Sequence, residues 1–273
     1  MLSGSGLSSS AAFEVLLGTI LNHLFNDGKV SDVEIAQIAQ AAENKFFGKP
    51  CGLLDQMTSS VGSFVEIDFA DPANPVIEKL DFDFASCGYA LCIVDTGGSH
   101  SDLTDEYAAV RKEMESVAEY LGKSVLREVD EDEFMKNIAD IRSSCGDRAV
   151  LRAMHFYGDN ARVEKQAAAL KAGDFETFKK YIIESGRSSY MYNQNVYSCK
   201  KVSEQPVSLA LSLSEKLLDG YGAWRVHGGG FAGTIQAFVP LNKLDEYKDL
   251  MEKVFGSGSC YILSVRPVGG VEL

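Results

Sequence analysis

The chain lacks most of the features that assign a function quickly. It has no Cys-x-x-Cys pair. Its six cysteines, at 51, 87, 92, 145, 199 and 260, are scattered, which excludes zinc-ribbon spacing and any disulfide framework and points to a reducing, cytoplasmic setting. It has no basic stripe. Lys and Arg number 26 against 39 Asp and Glu, a formal net charge of -13, so nucleic acid is not the expected partner and the acidity serves solubility. No basic leader with an apolar core opens it. The longest apolar segment, near residues 11 to 25, is broken by Glu14, Gly18, Asn22 and His23, and is too short and polar to span a bilayer. Repeats, low-complexity tracts and an obvious linker are also missing. What is there is a 273-residue chain, 45% hydrophobic and 24% charged, long enough to bury a core in one or two domains.

The pattern of elements is mixed. A Gly/Ser run, Leu2 to Ser10, gives way to helix formers from Ala11. Its serines suit an N-cap, and the helix is apolar on nearly every side, as a buried helix would be. A second helix starts at Ser31, with Glu34 three residues on completing a capping box, and ends before Gly48 and Pro50. A short third helix follows Gly52. Apolar and β-branched runs predict strands at 63–69, 76–80 and 88–94. Helical periods follow at 104–121, 131–139, 147–171, 174–185 and 206–219. A strand at 234–239, a helix at 242–254 and a strand at 260–265 close the sequence, an α+β arrangement of helices on a sheet.

Three segments carry chemistry. Gly4-Ser5-Gly6-Leu7-Ser8-Ser9-Ser10 can turn its amides onto an anion in front of a helix N-terminus, and its hydroxyls can bond phosphate or Mg²⁺. It is not a Walker A loop, since no Lys follows the last glycine, and no dinucleotide fingerprint surrounds it. On its own such a run is equally what a flexible tag looks like. In Pro50 to Gln56, Asp55 opens a helix: it is either a helix-terminal charge or a carboxylate presented to a hydroxyl during phosphoryl transfer. His227-Gly228-Gly229-Gly230-Phe231-Ala232-Gly233 is either a tight turn between strands or a place where a ligand approaches closely. His227 alone reads as structural, and His23, His100 and His155 show no ligand spacing.

Taken in order, these segments resemble the kinases of galactose, homoserine, mevalonate and phosphomevalonate, and galactokinases most of all. Gly4 to Ser10 with Ala11-Ala12 resembles the phosphate loop, Pro50 to Gln56 the segment of the catalytic aspartate, and Arg225 to Gly233 the late glycine-rich motif. Asp105-Glu106-Tyr107 with Arg111, and Arg152-Ala153-Met154-His155 with Asn160-Ala161-Arg162, are similar to two further galactokinase stretches. The resemblance implies a two-layer sheet-and-helix sugar kinase fold. The remainder of an N-terminal domain would occupy 1–95, and a ferredoxin-like C-terminal domain 96–273. It implies Gly4, Ser5, Gly6, Leu7, Ser8, Ser9 and Ser10 on the ATP phosphates, Ser10 and Glu43 on Mg²⁺, and Asp55 as the catalytic carboxylate. Gly52, Asp55 and Tyr107 would meet the sugar, and Gly228, Gly229 and Gly230 would close over nucleotide and substrate. The implied reaction converts ATP and galactose to ADP and galactose 1-phosphate.

The family's first motif, Gly-Glu-His-Thr-Asp, has no counterpart here, nor does its upstream arginine. The expectation is therefore an N-terminally truncated chain, weak or inactive alone, with an unpaired sheet edge and an exposed face on the first helix. Asp95-Thr96-Gly97-Gly98-Ser99-His100 also departs from the family's Asn-rich strand end, which leaves arabinose and N-acetylgalactosamine as alternative sugars. A non-catalytic sugar or nucleotide sensor on the same scaffold is the alternative from another class.

Overall fold

The computed structural model describes residues 8–48, 51–71, 74–98, 103–231 and 233–271. It divides into two units, residues 1–85 with 264–273, and residues 86–263. The division falls at 85/86, where a boundary at 95/96 was expected, because the strand before residue 95 lies within the sheet of the second unit.

Unit 1 is built on three helices and a hairpin: α1 Ser9–Asn26, α2 Asp32–Ala41, α3 Leu54–Val61, β1 Phe64–Asp68 and β2 Val76–Leu80. The Ser31 capping box forms as the sequence predicts: the Glu34 N–H donates to Ser31 Oγ at 3.3 Å and the Ser31 N–H to Glu34 Oε2 at 2.9 Å. The strands pair antiparallel with Phe64 opposite Leu80, and each has one partner among the described residues. Residues 264–271 return to this unit. The Ser63 N–H donates to the Arg266 carbonyl at 2.7 Å, and a Cβ on Gly269 would fall 1.7 Å from the Ser60 carbonyl oxygen, so only glycine lets the segment lie this close.

The first helix is not the buried rod its composition suggested. Its inward stripe is small and polar: Ala11, Val15, Thr19 and Asn22. Asn22 both donates to and accepts from the backbone of Val30, 3.0 Å each way, which fixes the turn into α2. Phe13, Leu17, Leu21, Leu24 and Phe25 instead point to solvent, Phe25 with 79% of its surface exposed.

Unit 2 contains β3 Tyr89–Asp95, α4 Thr104–Tyr120, α5 Glu131–Lys136, α6 Ile138–Cys145, α7 Asp147–Lys171, α8 Phe175–Ser188, α9 Pro206–Leu218, β4 Ala223–Val226, β5 Thr234–Pro240, α10 Leu244–Phe255 and β6 Cys260–Leu263. The sheet runs β4-β5-β3-β6 with every pair antiparallel. Numbered within the unit that order is 2-3-1-4, the ferredoxin-like arrangement expected here. Its core joins the sheet (Val226, Ile235, Ala237) to α9 and α10 through Val207, Tyr247 and Met251. A second cluster, with Val117, Phe134, Ile141 and Tyr157, holds α4 to α7 together. No helix among the described residues is long and apolar enough to cross a membrane.

Candidate active site

In unit 1 the site forms around the N-terminus of α1. Ser8 is its N-cap residue, in the left-handed region at φ 52 and ψ 48. Its carbonyl accepts the Ala12 N–H at 3.2 Å, but its side chain makes no capping bond, contrary to expectation. The hydroxyl instead donates to Asp55 Oδ2 at 2.5 Å. Among the described residues the first amides of α1 thus have no side-chain cap, and the positive end of such a helix favours an anion.

Asp55 lies in the first turn of α3 and is exposed. The cap residue there is Leu53, which makes no side-chain cap bond, so Asp55 is not a cap. Gly52 sits in the turn just before it, also exposed. Behind Ser10 lies a buried acid. Glu43 is 4% exposed and stands on a π-helical turn, Ala42–Phe46, that prolongs α2; such turns often mark functional positions. Ser10 Oγ donates to Glu43 Oε1 at 3.4 Å, and Gln56 Nε2 donates to Glu43 Oε2 at 3.1 Å. The neighbouring Cys51 thiol is pushed up by burial, and by Glu43, so it does not supply a thiolate. Gly4, Ser5, Gly6 and Leu7 lie outside the described residues.

In unit 2, Tyr107 stands in the first turn of α4. Its ring meets Phe231 edge-on, centroids 5.1 Å apart, and its hydroxyl donates to the Gly230 carbonyl at 2.9 Å. Gly228 and Gly230 have φ of 60° and 82°. At Gly229 a Cβ would fall 2.7 Å from Tyr107 Cε1. The glycines are therefore required twice over, by backbone conformation and by close approach. His227 Nδ1 meets Thr234 Oγ1 at 3.0 Å across the β4–β5 ends, in keeping with a structural role.

Sequence reasoning missed Asn195. It is 5% exposed, its carbonyl accepts the Phe231 N–H at 2.5 Å, and its Nδ2 donates to the Gly229 carbonyl at 3.2 Å. No spacing signal connects it to a turn 34 residues away. His155 is buried against Ser188 Oγ at 2.9 Å, with Asp159 3.8 Å from its other ring nitrogen. Burial lowers its pKa despite that carboxylate.

The arrangement brings together Ser8 with Asp55, Ser10 with Glu43, and Tyr107 with Gly229 and Gly230. Comparison with known proteins finds similarity along most of the chain. Residues 1–63 match the family of GHMP kinases N terminal domains. The chain is 30% identical over 247 residues to a galactokinase of Actinobacillus pleuropneumoniae, covering 90% of this chain and 61% of that one. It is 32% identical to the Homo sapiens galactokinase over 270 residues, 99% of this chain and 65% of that one. In structure it matches the Lactococcus lactis galactokinase complexed with galactose, with a TM-score of 0.76 and 24% identity over all of this chain and 69% of that one. The L. major mevalonate kinase in complex with R-mevalonate matches at a TM-score of 0.60 and 15% identity, covering 98% and 68%. The chain is similar to GHMP kinases in its first 63 residues and to galactokinases over most of its length, and it spans about three-fifths of the length of the bacterial ones it matches.

Proposed function

We propose that this chain carries the phosphoryl-transfer machinery of an ATP-dependent sugar kinase, whose acceptor is the anomeric hydroxyl of galactose and whose products are galactose 1-phosphate and ADP. Homology with galactokinases over nine-tenths of the chain supports this reading. The observation that carries it is the contact of Ser8 with Asp55. It sets a carboxylate able to take or orient a hydroxyl proton beside the open helix terminus where phosphate would sit.

In this reading Gly4 to Ser10 hold the ATP phosphates and Asp55 acts on the sugar hydroxyl. Gly52 and Tyr107 contact the sugar, and Gly228 to Gly230 close over nucleotide and substrate. The Tyr107 oxygen, although it donates to Gly230, keeps lone pairs for a sugar hydroxyl. Ser10 and Glu43 offer a hydroxyl and a carboxylate within 3.4 Å of each other, the hard oxygen donors that suit Mg²⁺. A bound ion would neutralise charge on the phosphates. The reading places the protein in the cytoplasm, which six cysteines that form no disulfide suit.

The test is ADP release by the full-length protein with ATP and galactose, with arabinose and N-acetylgalactosamine as rival acceptors. Galactose-dependent turnover that disappears in Asp55→Asn is expected. Binding of ATP and galactose without any product would refute the kinase reading and leave a sensor.

A further inference from the structure

The two oxygens of the buried Glu43 carboxylate face different elements of unit 1. Oε1 accepts Ser10 Oγ of α1 at 3.4 Å, and Oε2 accepts Gln56 Nε2 of α3 at 3.1 Å. Gln56 is itself buried, and the same nitrogen reaches Cys51 Sγ at 3.4 Å, so each of its two hydrogens has an acceptor. Cys51 is tied to the π-helical turn that carries Glu43. Its N–H donates to Asn44 Oδ1 at 2.7 Å, and its carbonyl accepts Asn44 Nδ2 at 3.3 Å and Gln40 Nε2 at 3.2 Å. The segment leading into α3 is thus pinned to the end of α2, and Gln56 is carried to Glu43 on a fixed base.

The Gln56 amide can sit only one way round. A carboxylate oxygen accepts and never donates, so the nitrogen end must face Glu43. That leaves Gln56 Oε1 buried without a partner among the described residues. A buried acceptor left unbonded is a cost, and an apolar side chain of similar length would fill the space without it, so stability alone is a poor reason for a glutamine here. Position along the helix supplies a better one. Asp55 and Gln56 are consecutive, about 100° apart around α3. Asp55 is exposed and takes the Ser8 hydroxyl, while Gln56 is turned inward onto Glu43. One turn of α3 therefore addresses both acids of the site.

We propose that Gln56 is a positioning residue for the metal carboxylate. By holding Glu43 Oε2 through its amide nitrogen it fixes the rotation of the carboxylate and keeps Oε1, the oxygen on the Ser10 side, presented to a divalent cation. This rests on the kinase reading above, in which Ser10 and Glu43 hold Mg²⁺. Groups that bond a metal ligand from behind set its orientation, and their removal weakens metal binding without touching the metal.

Gln56→Met tests it, because methionine fills a similar space and has no amide to donate. Gln56→Asn, which keeps the amide but draws it back by one methylene, is the milder variant should methionine disturb folding. The probe is Mn²⁺ added to the full-length protein with a non-hydrolysable ATP analogue, and the enhancement of water-proton relaxation reports the ion held on the protein. Both variants should weaken Mn²⁺ binding, Gln56→Met by about 10- to 100-fold. In steady-state kinetics the Mg²⁺ concentration for half-maximal activity should rise in step, while kcat at saturating Mg²⁺ and KM for galactose change less than about threefold. Added to Glu43→Gln, Gln56→Met should cost far less than it does alone, as expected of two residues acting through one carboxylate. A normal Mn²⁺ affinity in both Gln56 variants, with that of Glu43→Gln weakened, overturns the proposal while the kinase reading stands. Losses that multiply in the double variant overturn it too, as does a loss of kcat at saturating Mg²⁺ that only tracks thermal stability. Absence of Mn²⁺ binding in the unaltered protein overturns the proposal together with the metal site assigned to Ser10 and Glu43.

Discussion

The Ser8 hydroxyl donates to Asp55 Oδ2 at 2.5 Å, joining the first residue of one helix boundary to the first turn of another across 47 residues of sequence. That bond joins the N-terminus of α1 to the candidate base, and it leaves the first α1 amides without a side-chain cap among the described residues.

Asp55→Asn should therefore lower kcat about 10²- to 10⁴-fold, the range for loss of a positioned proton acceptor. Ser8→Ala should cost far less, since the carboxylate remains. Both are read from galactose 1-phosphate formation at saturating ATP, and equal losses would place the chemistry on Ser8 instead.

Glu43→Gln should leave the fold intact and raise the Mg²⁺ concentration for half-maximal activity about 10-fold or more. The buried side chain keeps its volume but loses its charge and one of the two acceptor oxygens that meet Ser10 and Gln56. A Mg²⁺ titration of activity checks this, and an unshifted midpoint would remove Glu43 from the metal site.

Gly230→Ala should destabilise the protein by about 1–3 kcal/mol, from overpacking and from a positive φ imposed on alanine. The new Cβ would meet the Asn195 carbonyl oxygen, which belongs to backbone and cannot swing aside. Urea denaturation measures it. Gly97→Ala, at φ 69 with no atom near its Cβ, separates the conformational part from the clash.

Stability should depend on pH through His155. Its folded pKa lies below the ordinary value of 6.5, because burial disfavours the charged ring. The unfolded chain then binds the proton more readily than the folded one. The contribution is fully present above about pH 6.5 and is lost as pH falls through that value toward the folded pKa. His155→Gln should flatten this part of the curve between pH 7 and 5, measured as the difference in denaturation midpoint from the unaltered protein.

Much of this was legible in the sequence, where local rules decide. The capping box at Ser31 and Glu34, the strands of the hairpin, and the glycine turn each announce themselves within a few residues. Asp55 was recognisable through its motif, although its partner was not, because nothing local links it to Ser8. Asn195 was invisible for the same reason. The first helix was misjudged because apolar content states how much surface seeks cover and not what covers it. The helical period at 131–139 became two helices, α5 and α6, which meet at Asn137.

The return of residues 264–271 to unit 1 has a consequence for synthesis. A nascent chain emerges at about 5–20 residues per second and folds its domains as they become complete. Unit 2 is one continuous stretch and can close as soon as its last strand appears. The unit bearing Ser8 and Asp55, though made first, must wait for Arg266 to meet Ser63 and for Gly269 to slide against Ser60. During that interval the Ser63 N–H lacks its acceptor and Ser60 its close neighbour, so this half of the molecule is the last to complete its packing.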